Sequence, residues 1–149
     1  EEAAAQGVLK AADMFPVFVL REGSLDKALA IEMRGKGLWG PIFGYLALNN
    51  DGRTVRGATF DAPKETPGLG AEIMADKWEK KWVDERIVNA AGEIDPVDVE
   101  KMCADDDKNC VDGVSGATIT CNGVDAMVEE ALEEHYKNYI KQIQSGTGG

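Results

Sequence analysis

Short apolar runs separated by turn residues dominate the first half of the chain. Phe15 to Leu20 and Ala28 to Met33 are runs of strand length. Further along, Ile42 to Leu48 and Thr54 to Phe60 are rich in apolar, aromatic and β-branched residues and flank a strong turn signal at Asn49–Gly52. This pattern predicts two strands followed by a β-hairpin.

The pattern changes toward helical spacing after residue 70. The segment from Ala71 to Val83 predicts a helix, with Trp78 and Trp82 on one face, either in the core or facing a partner. Ile87–Val88 predicts another short strand, and Pro96 predicts the first turn of a short helix.

The longest amphipathic segment lies near the C-terminus. Asn122 is a good N-cap residue, and the apolar positions behind it recur at helical spacing over about six turns. These positions are Val124, Met127, Val128, Ala131, Leu132, His135, Tyr139 and Ile143. His135, the only histidine, is interpreted as a packing residue.

Together these elements predict an α+β fold, in which helices, including a long C-terminal one, pack on a mainly antiparallel sheet. At 149 residues the chain fits one domain, which we expect to span residues 15–144. Residues 1–14 are then a lead-in, and residues 145–149 are predicted to be a disordered tail.

The charge of the chain narrows the range of partners. Its 27 acidic and 16 basic residues give a formal net charge of -11, which would repel nucleic-acid phosphates and an anionic bilayer surface. Neither is a predicted partner. The same charge argues against a Lys and Arg cluster that holds a free phosphorylated cofactor, so a bound phosphate would need backbone donors or a covalent link. No run approaches the roughly 20 apolar residues that a membrane-spanning helix needs.

Three cysteines leave an odd count. Cys103 and Cys110 flank an acidic loop, which they either close as a short disulfide in an oxidising compartment or border as two thiols. Cys121 is interpreted as a small packed residue. The cysteines and the single histidine form no plausible metal cluster, so no metal site is predicted.

A run of small and hydroxyl residues, Asp112 to Thr120, stands just before the long helix. One interpretation is a helix lead-in, in which Gly116 sets a turn and hydroxyl groups cap free amides. The other is a phosphate site, in which backbone N–H groups at a helix N-terminus bind an anion and Thr118 offers its oxygen. Spacing alone leaves both interpretations open.

This run resembles the Asp-x-x-Ser/Thr-Gly-Ala-Thr motif of FMN-binding domains in two related membrane complexes. They are the Na+-translocating NADH:quinone reductase, in its C subunit, and the Rnf electron-transport complex, in its G subunit. The matching residues are Asp112, Ser115, Gly116, Ala117 and Thr118. In that family a separate flavin transferase, with FAD as donor, esterifies the last threonine to the FMN phosphate. The resemblance therefore implies covalent FMN on Thr118. The other motif residues and Thr120 would serve cofactor binding and recognition by the transferase.

Two further segments resemble the same family in the expected order. They are the loop Glu65–Gly70 and the segment Gly35–Gly40 with the strand that follows it. The resemblance thus covers most of the chain from about Ala28 to the final helix. Two features favour the NADH:quinone reductase branch over the Rnf branch: Trp78 and Trp82 after the loop, and Asn122–Val124 after the threonine motif.

The resemblance also implies that the Glu65–Gly70 loop lies beside the flavin ring. The implied ring contacts are Trp39, Glu65, Thr66, Gly68 and Leu69. Without the resemblance, the loop would be interpreted as a Pro-Gly turn with a solvated glutamate. Trp39 is either a core aromatic or a wall of the flavin pocket, and the tendency of large aromatics to pack favours the core.

The function that the resemblance implies is electron carriage by FMN within a membrane NADH:quinone reductase coupled to Na+ transport. Partners would be the other subunits and, during maturation, the flavin transferase. An upstream transmembrane helix would attach the domain to the periplasmic face of the inner membrane, a side that suits a disulfide. Alternatives are an Rnf-type carrier, a stand-alone flavin reductase or hydrolase, and a protein-interaction module with a vestigial motif.

Overall fold

A four-stranded antiparallel sheet forms the first half of the computed structural model, which describes residues 15–146. The strands lie in the order β1-β2-β3-β4 and are β1, Val17–Glu22; β2, Leu25–Lys36; β3, Pro41–Asn49; and β4, Val55–Asp61. The strands predicted for this half are present, and the α+β class with a mainly antiparallel sheet is confirmed. The lead-in at 1–14 and most of the tail at 145–149 lie outside the described residues.

Alternation of side chains gives the sheet one buried face. Ile31 and Met33 of β2 are buried, as are Ile42 and Leu46 of β3, and the register pairs Ile31 with Leu46. Tyr45, between two buried positions of β3, is exposed on the opposite face. The helices pack on the buried face, where the hydrophobic core lies.

The segment after β4 winds through three short helical turns around a cluster of aromatic rings. These turns are a 3-10 helix at Gly70–Met74, α1 at Asp76–Glu79 and a 3-10 helix at Lys80–Trp82. The single helix predicted here is interrupted at Ala75, whose ψ of 134° is extended. Trp78 and Trp82 are buried, and each ring centroid lies 5.2 Å from that of Phe60. Both tryptophans are core residues.

A small parallel sheet leads to the long helix. It pairs β5, Asp98–Glu100, with β6, Cys110–Asp112. The short helix predicted from Pro96 is wrong, because Val99 is buried between two exposed acidic residues and the β5 backbone pairs with β6. The strand predicted at Ile87–Val88 is reduced to one isolated bridge, between Val88 and Ile94.

The long helix begins at the motif itself. It comprises α2, Thr118–Glu130, a π-helical segment, Ala131–His135, and then α3, Lys137–Gln144. The N-cap predicted at Asn122 is wrong, because the N-cap lies five residues earlier, at Ala117, and the helix begins at Thr118. Within residues 15–146, no helix has both the length and the apolar character to cross a bilayer.

The π-helical segment changes which residues of the long helix face the core. A π turn holds an extra residue, so the buried face after it is displaced by one position. Tyr136 and Ile140 are buried where the pattern predicted His135 and Tyr139. The Tyr136 hydroxyl donates a hydrogen bond to the carbonyl oxygen of Pro16 at 2.9 Å. The displaced face therefore anchors the chain just before β1.

Candidate functional site

The small-residue run forms the turn that leads from β6 into α2. Gly116 has a φ of 79°, a left-handed conformation that glycine adopts without steric cost. Ala117 is the N-cap, and no side chain caps the first turn of α2. Thr118 is the first helical residue, and it is exposed. An uncapped helix N-terminus and a hydroxyl group therefore face solvent together, an arrangement that suits a phosphate.

Two clefts meet at Thr118. The Trp39 cleft, of about 410 Å³, lies between the β2–β3 turn, the loop after β4 and the first turn of α2, and its lining includes Leu38, Trp39, Thr66, Leu69, Ile119 and Thr120. The Met102 cleft, of about 400 Å³, has a lining that includes Glu100, Lys101, Met102, Ser115, Cys121 and Asn122. Both linings contain Thr118, so a group attached there can enter either cleft.

The predicted ring contacts are partly gathered in the Trp39 cleft. Trp39, Thr66 and Leu69 line it. Trp39 is 66% exposed, so its interpretation as a core aromatic is wrong. Leu69 and Ile119 are also exposed and give the cleft an apolar rim. Gly68 does not line the cleft. It has a φ of 80°, and its N–H donates a hydrogen bond to Glu72.

Glu65 lies behind the wall of the Trp39 cleft. It is 5% exposed, so it is not the solvated glutamate of a plain turn. Its Oε1 accepts hydrogen bonds from the Leu38 N–H at 2.7 Å and the Thr120 hydroxyl at 2.5 Å, and its Oε2 accepts from the Trp39 N–H at 2.8 Å. Both oxygens are thus engaged within the protein, and a direct contact with the ring stays a prediction.

The hydrogen bonds keep Glu65 ionised. Burial alone would raise the pKa of this carboxyl group. The bonds from the Thr120 hydroxyl and from the backbone of the β2–β3 turn outweigh burial, and the pKa lies below its ordinary value. A negative charge is therefore fixed inside the protein at neutral pH.

Glycines allow these close contacts. A Cβ on Gly37 would overlap the Glu65 carboxylate, and a Cβ on Gly70 would lie 2.5 Å from the Thr120 hydroxyl oxygen. The sequence motifs identify Gly35–Gly40 and Glu65–Gly70 separately, but they do not show that Glu65 joins the two segments. Leu38 and Ile119 also line the cleft and were not predicted to do so, although their apolar side chains beside the motifs were an available signal.

Asp112 fixes the other end of the motif. Its Oδ1 accepts a hydrogen bond from the Cys103 N–H at 2.7 Å, and its carbonyl oxygen accepts one from Trp78 Nε1 at 2.8 Å. Cys103 and Cys110 form a disulfide across the acidic loop. Asp112 therefore ties the motif to both the disulfide loop and the aromatic cluster.

Cys121 lies beneath the motif and is the free cysteine of the described chain. Its Sγ accepts a hydrogen bond from the Val114 N–H at 3.3 Å. Burial raises the pKa of this thiol, so it is a protonated, packed residue, as predicted.

One further group of side chains lies at the surface far from Thr118. Atoms of Glu130, Glu134 and His135 that are able to ligate a metal lie within 4.8 Å of one another, the one such group among residues 15–146. The group begins about 18 Å along the helix from Thr118, at 1.5 Å per residue. It therefore takes no part in the two clefts.

Comparison with known proteins identifies relatives of most of the chain. Residues 37–133 match the family described as FMN-binding domain. The C subunit of the Na(+)-translocating NADH-quinone reductase from Yersinia pestis is 32% identical over 142 residues, 94% of this chain and 53% of that protein. The protein of the same name from Pseudomonas aeruginosa is 40% identical over 130 residues, 84% of this chain and 49% of that protein. The chain spans about half the length of these relatives.

Solved structures of the same reductase subunit share the fold. The crystal structure from Parabacteroides distasonis superposes with a TM-score of 0.76 at 36% identity, over 85% of this chain and 62% of that one. The Shewanella oneidensis NqrC structure gives a TM-score of 0.77 at 29% identity, over 87% of this chain and 60% of that one. The arrangement of sheet and long helix is therefore common to these proteins.

Proposed function

This chain belongs to the FMN-binding domain family, and we propose that it carries FMN through a phosphoester to Thr118, as the electron-carrying domain of the C subunit of a Na+-translocating NADH:quinone reductase. The observation that carries the proposal is the position of Thr118. Its exposed hydroxyl group stands on the first residue of an uncapped helix, where two clefts meet.

Covalent attachment suits the local chemistry. The net charge of -11 and the lack of a basic cluster at the helix N-terminus leave backbone donors and a covalent bond to hold a phosphate. Attachment would join Oγ1 of Thr118 to the flavin-side phosphorus of FAD, with cleavage of the pyrophosphate bond, AMP as the leaving group and release of the hydroxyl proton.

Two carboxylates at the motif already have other partners. Glu65 and Asp112 both accept hydrogen bonds that hold loops together. A separate flavin transferase is the proposed catalyst of attachment, with the motif as the acceptor that it recognises. Ser115, exposed in the Met102 cleft, is available to contact such an enzyme.

The Trp39 cleft is the proposed site of the isoalloxazine ring. FMN supplies the redox chemistry when bound, by accepting and releasing electrons. Trp39 and Leu69 offer apolar surfaces to the ring faces, and Thr66 offers a polar group to its edge. Because the rim of the cleft is exposed, the flavin edge would stay accessible to a redox partner.

The names of the relatives support assignment to the Na+-translocating complex over the Rnf alternative. In the proposed complex, the partners of this domain are the other subunits. The proposed location is the periplasmic side of the inner membrane, attached through a transmembrane helix. The Cys103–Cys110 disulfide suits an oxidising compartment of that kind.

Co-expression with a flavin transferase tests the proposal. Intact mass and in-gel flavin fluorescence after denaturation should report one FMN adduct on the wild-type protein and none on Thr118→Ala. Thr59→Ala, which removes an exposed threonine hydroxyl from β4, is the matched control and should be labelled like wild type. A wild-type protein without an adduct, or a labelled Thr118→Ala protein, would overturn the proposal.

A further inference from the structure

Glu65 is a buried carboxylate without a cation. None of the ion pairs among residues 15–146 involves it. Its hydrogen-bond donors are backbone amides of the β2–β3 turn and the Thr120 hydroxyl group, all of them neutral. Neutral donors stabilise a charge but do not cancel it. One negative charge therefore persists inside the protein.

This charge lies directly behind the Trp39 cleft. Three residues that donate to it also line that cleft, namely Leu38, Trp39 and Thr120. The three come from the β2–β3 turn and the first turn of α2, and Glu65 itself belongs to the loop after β4. The carboxylate thus joins the three segments that form the cleft.

We propose that Glu65 tunes the bound flavin, because its fixed negative charge lowers the reduction potential of FMN in the Trp39 cleft. The inference rests on the proposed function. It makes Glu65 a positioning residue with an electrostatic effect, and this effect of the charge across the cleft wall requires no direct contact with the ring.

The direction of the effect follows from charge. Reduction of a flavin adds two electrons with one or two protons, and the product with one proton carries a net negative charge. A carboxylate nearby disfavours that charge by Coulomb repulsion. Burial matters because solvent and salt screen an exposed charge far more than a buried one.

Glu72 provides a matched exposed charge. It lies in the same part of the chain, and its Oε1 accepts a hydrogen bond from the Gly68 N–H at 3.2 Å in an exposed contact. Glu65→Gln and Glu72→Gln therefore change the net charge equally but differ in the burial of the group removed. Glu65→Asp keeps the buried charge while it shortens the side chain and disturbs the hydrogen bonds.

The test is a redox titration of the flavinylated variants, with dithionite as reductant and mediator dyes, after the adduct on each has been verified by mass. We expect Glu65→Gln to shift the midpoint potential to more positive values, Glu72→Gln to stay near wild type, and Glu65→Asp, which keeps the charge, to show no positive shift. A purely structural role would instead group Glu65→Asp with Glu65→Gln. Equal potentials for Glu65→Gln and wild type would overturn the inference.

Thr120→Val covers the case in which Glu65→Gln does not fold. It keeps the carboxylate and removes one hydrogen-bond donor, so the less stabilised negative charge should shift the potential to more negative values. No shift would overturn the inference.

Different results overturn the proposed function and this inference. A wild-type protein without an adduct overturns the proposed function and this inference with it, whereas an adduct with unchanged potentials overturns this inference alone.

Discussion

Gly123 of α2 lies against the carbonyl oxygen of Lys36, and a Cβ at residue 123 would overlap that oxygen. A Cβ on Gly35 would likewise lie 2.8 Å from the Cβ of Met127. These two glycines let α2 approach the end of β2 closely. The helix that begins at Thr118 is thereby held against the strand that leads into the Trp39 cleft.

Gly123→Ala should lower the free energy of unfolding by about 1–3 kcal/mol, because the added methyl group overpacks the helix against β2. Alanine normally stabilises a helix interior relative to glycine by about 1 kcal/mol, so the expected sign is opposite to helix propensity. Urea denaturation measures the change. Gly57→Ala, where a Cβ meets nothing within 4 Å, should cause little destabilisation. Equal stability of Gly123→Ala and wild type would contradict this prediction, because the helix and β2 would then separate enough for the methyl group at no cost in free energy.

The strands were predictable, and the start and register of the long helix were not. The alternation of buried and exposed residues and the turn at Asn49–Gly52 are local sequence signals, so β3 and β4 can be predicted from the sequence. The N-cap was assigned to Asn122 by residue type, but the helix begins after Ala117, which has no capping group. The π-helical segment is a tertiary feature that sequence periodicity does not reveal.

Glu65→Gln should lower the free energy of unfolding at pH 7 by about 1–3 kcal/mol, because the amide leaves a part-buried N–H or the buried Thr120 hydroxyl unpaired. The folded pKa of Glu65 lies below its unfolded value. Its stabilisation is thus complete above the ordinary pKa of about 4.3 and is lost as the pH falls through the lower folded value. The difference between variant and wild type should shrink in acid. Urea denaturation across this pH range checks it, and a pH-independent difference would contradict the account.

The double variant Cys103→Ser, Cys110→Ser should be less stable than wild type by about 2–3 kcal/mol, as expected for a short loop closed by a disulfide. Reductant should bring wild type to the same stability and should leave the double variant unchanged. Chemical denaturation with and without dithiothreitol measures both effects. Insensitivity of the wild-type protein to reductant would show that the disulfide contributes little to stability.

Trp39→Ala and Met102→Ala together test which cleft holds the flavin ring. Both side chains are largely exposed, at 66% and 79%, so each substitution should change stability by less than about 0.5 kcal/mol. In the flavinylated protein, Trp39→Ala should increase quenching of flavin fluorescence by iodide, and Met102→Ala should not. The reverse pattern would assign the ring to the Met102 cleft.

The candidate site was only partly predictable. Thr118 and its neighbours were identified because a contiguous motif carries their resemblance to a family. The bond between Thr120 and Glu65 joins residues 55 positions apart, and it depends on how two loops fold against α2. The exposure of Trp39 depends on the same packing, and the general tendency of aromatic residues to be buried predicts the opposite.

Localisation of the adduct by fragmentation mass spectrometry tests the central claim most directly. Three hydroxyl residues of the motif, Ser115, Thr118 and Thr120, compete for the flavin phosphate. Thr120 is buried and donates its hydroxyl to Glu65, whereas Ser115 and Thr118 are exposed. After co-expression with the transferase, fragment ions should assign the FMN mass to Thr118 alone. An adduct on Ser115 or Thr120 would contradict the account.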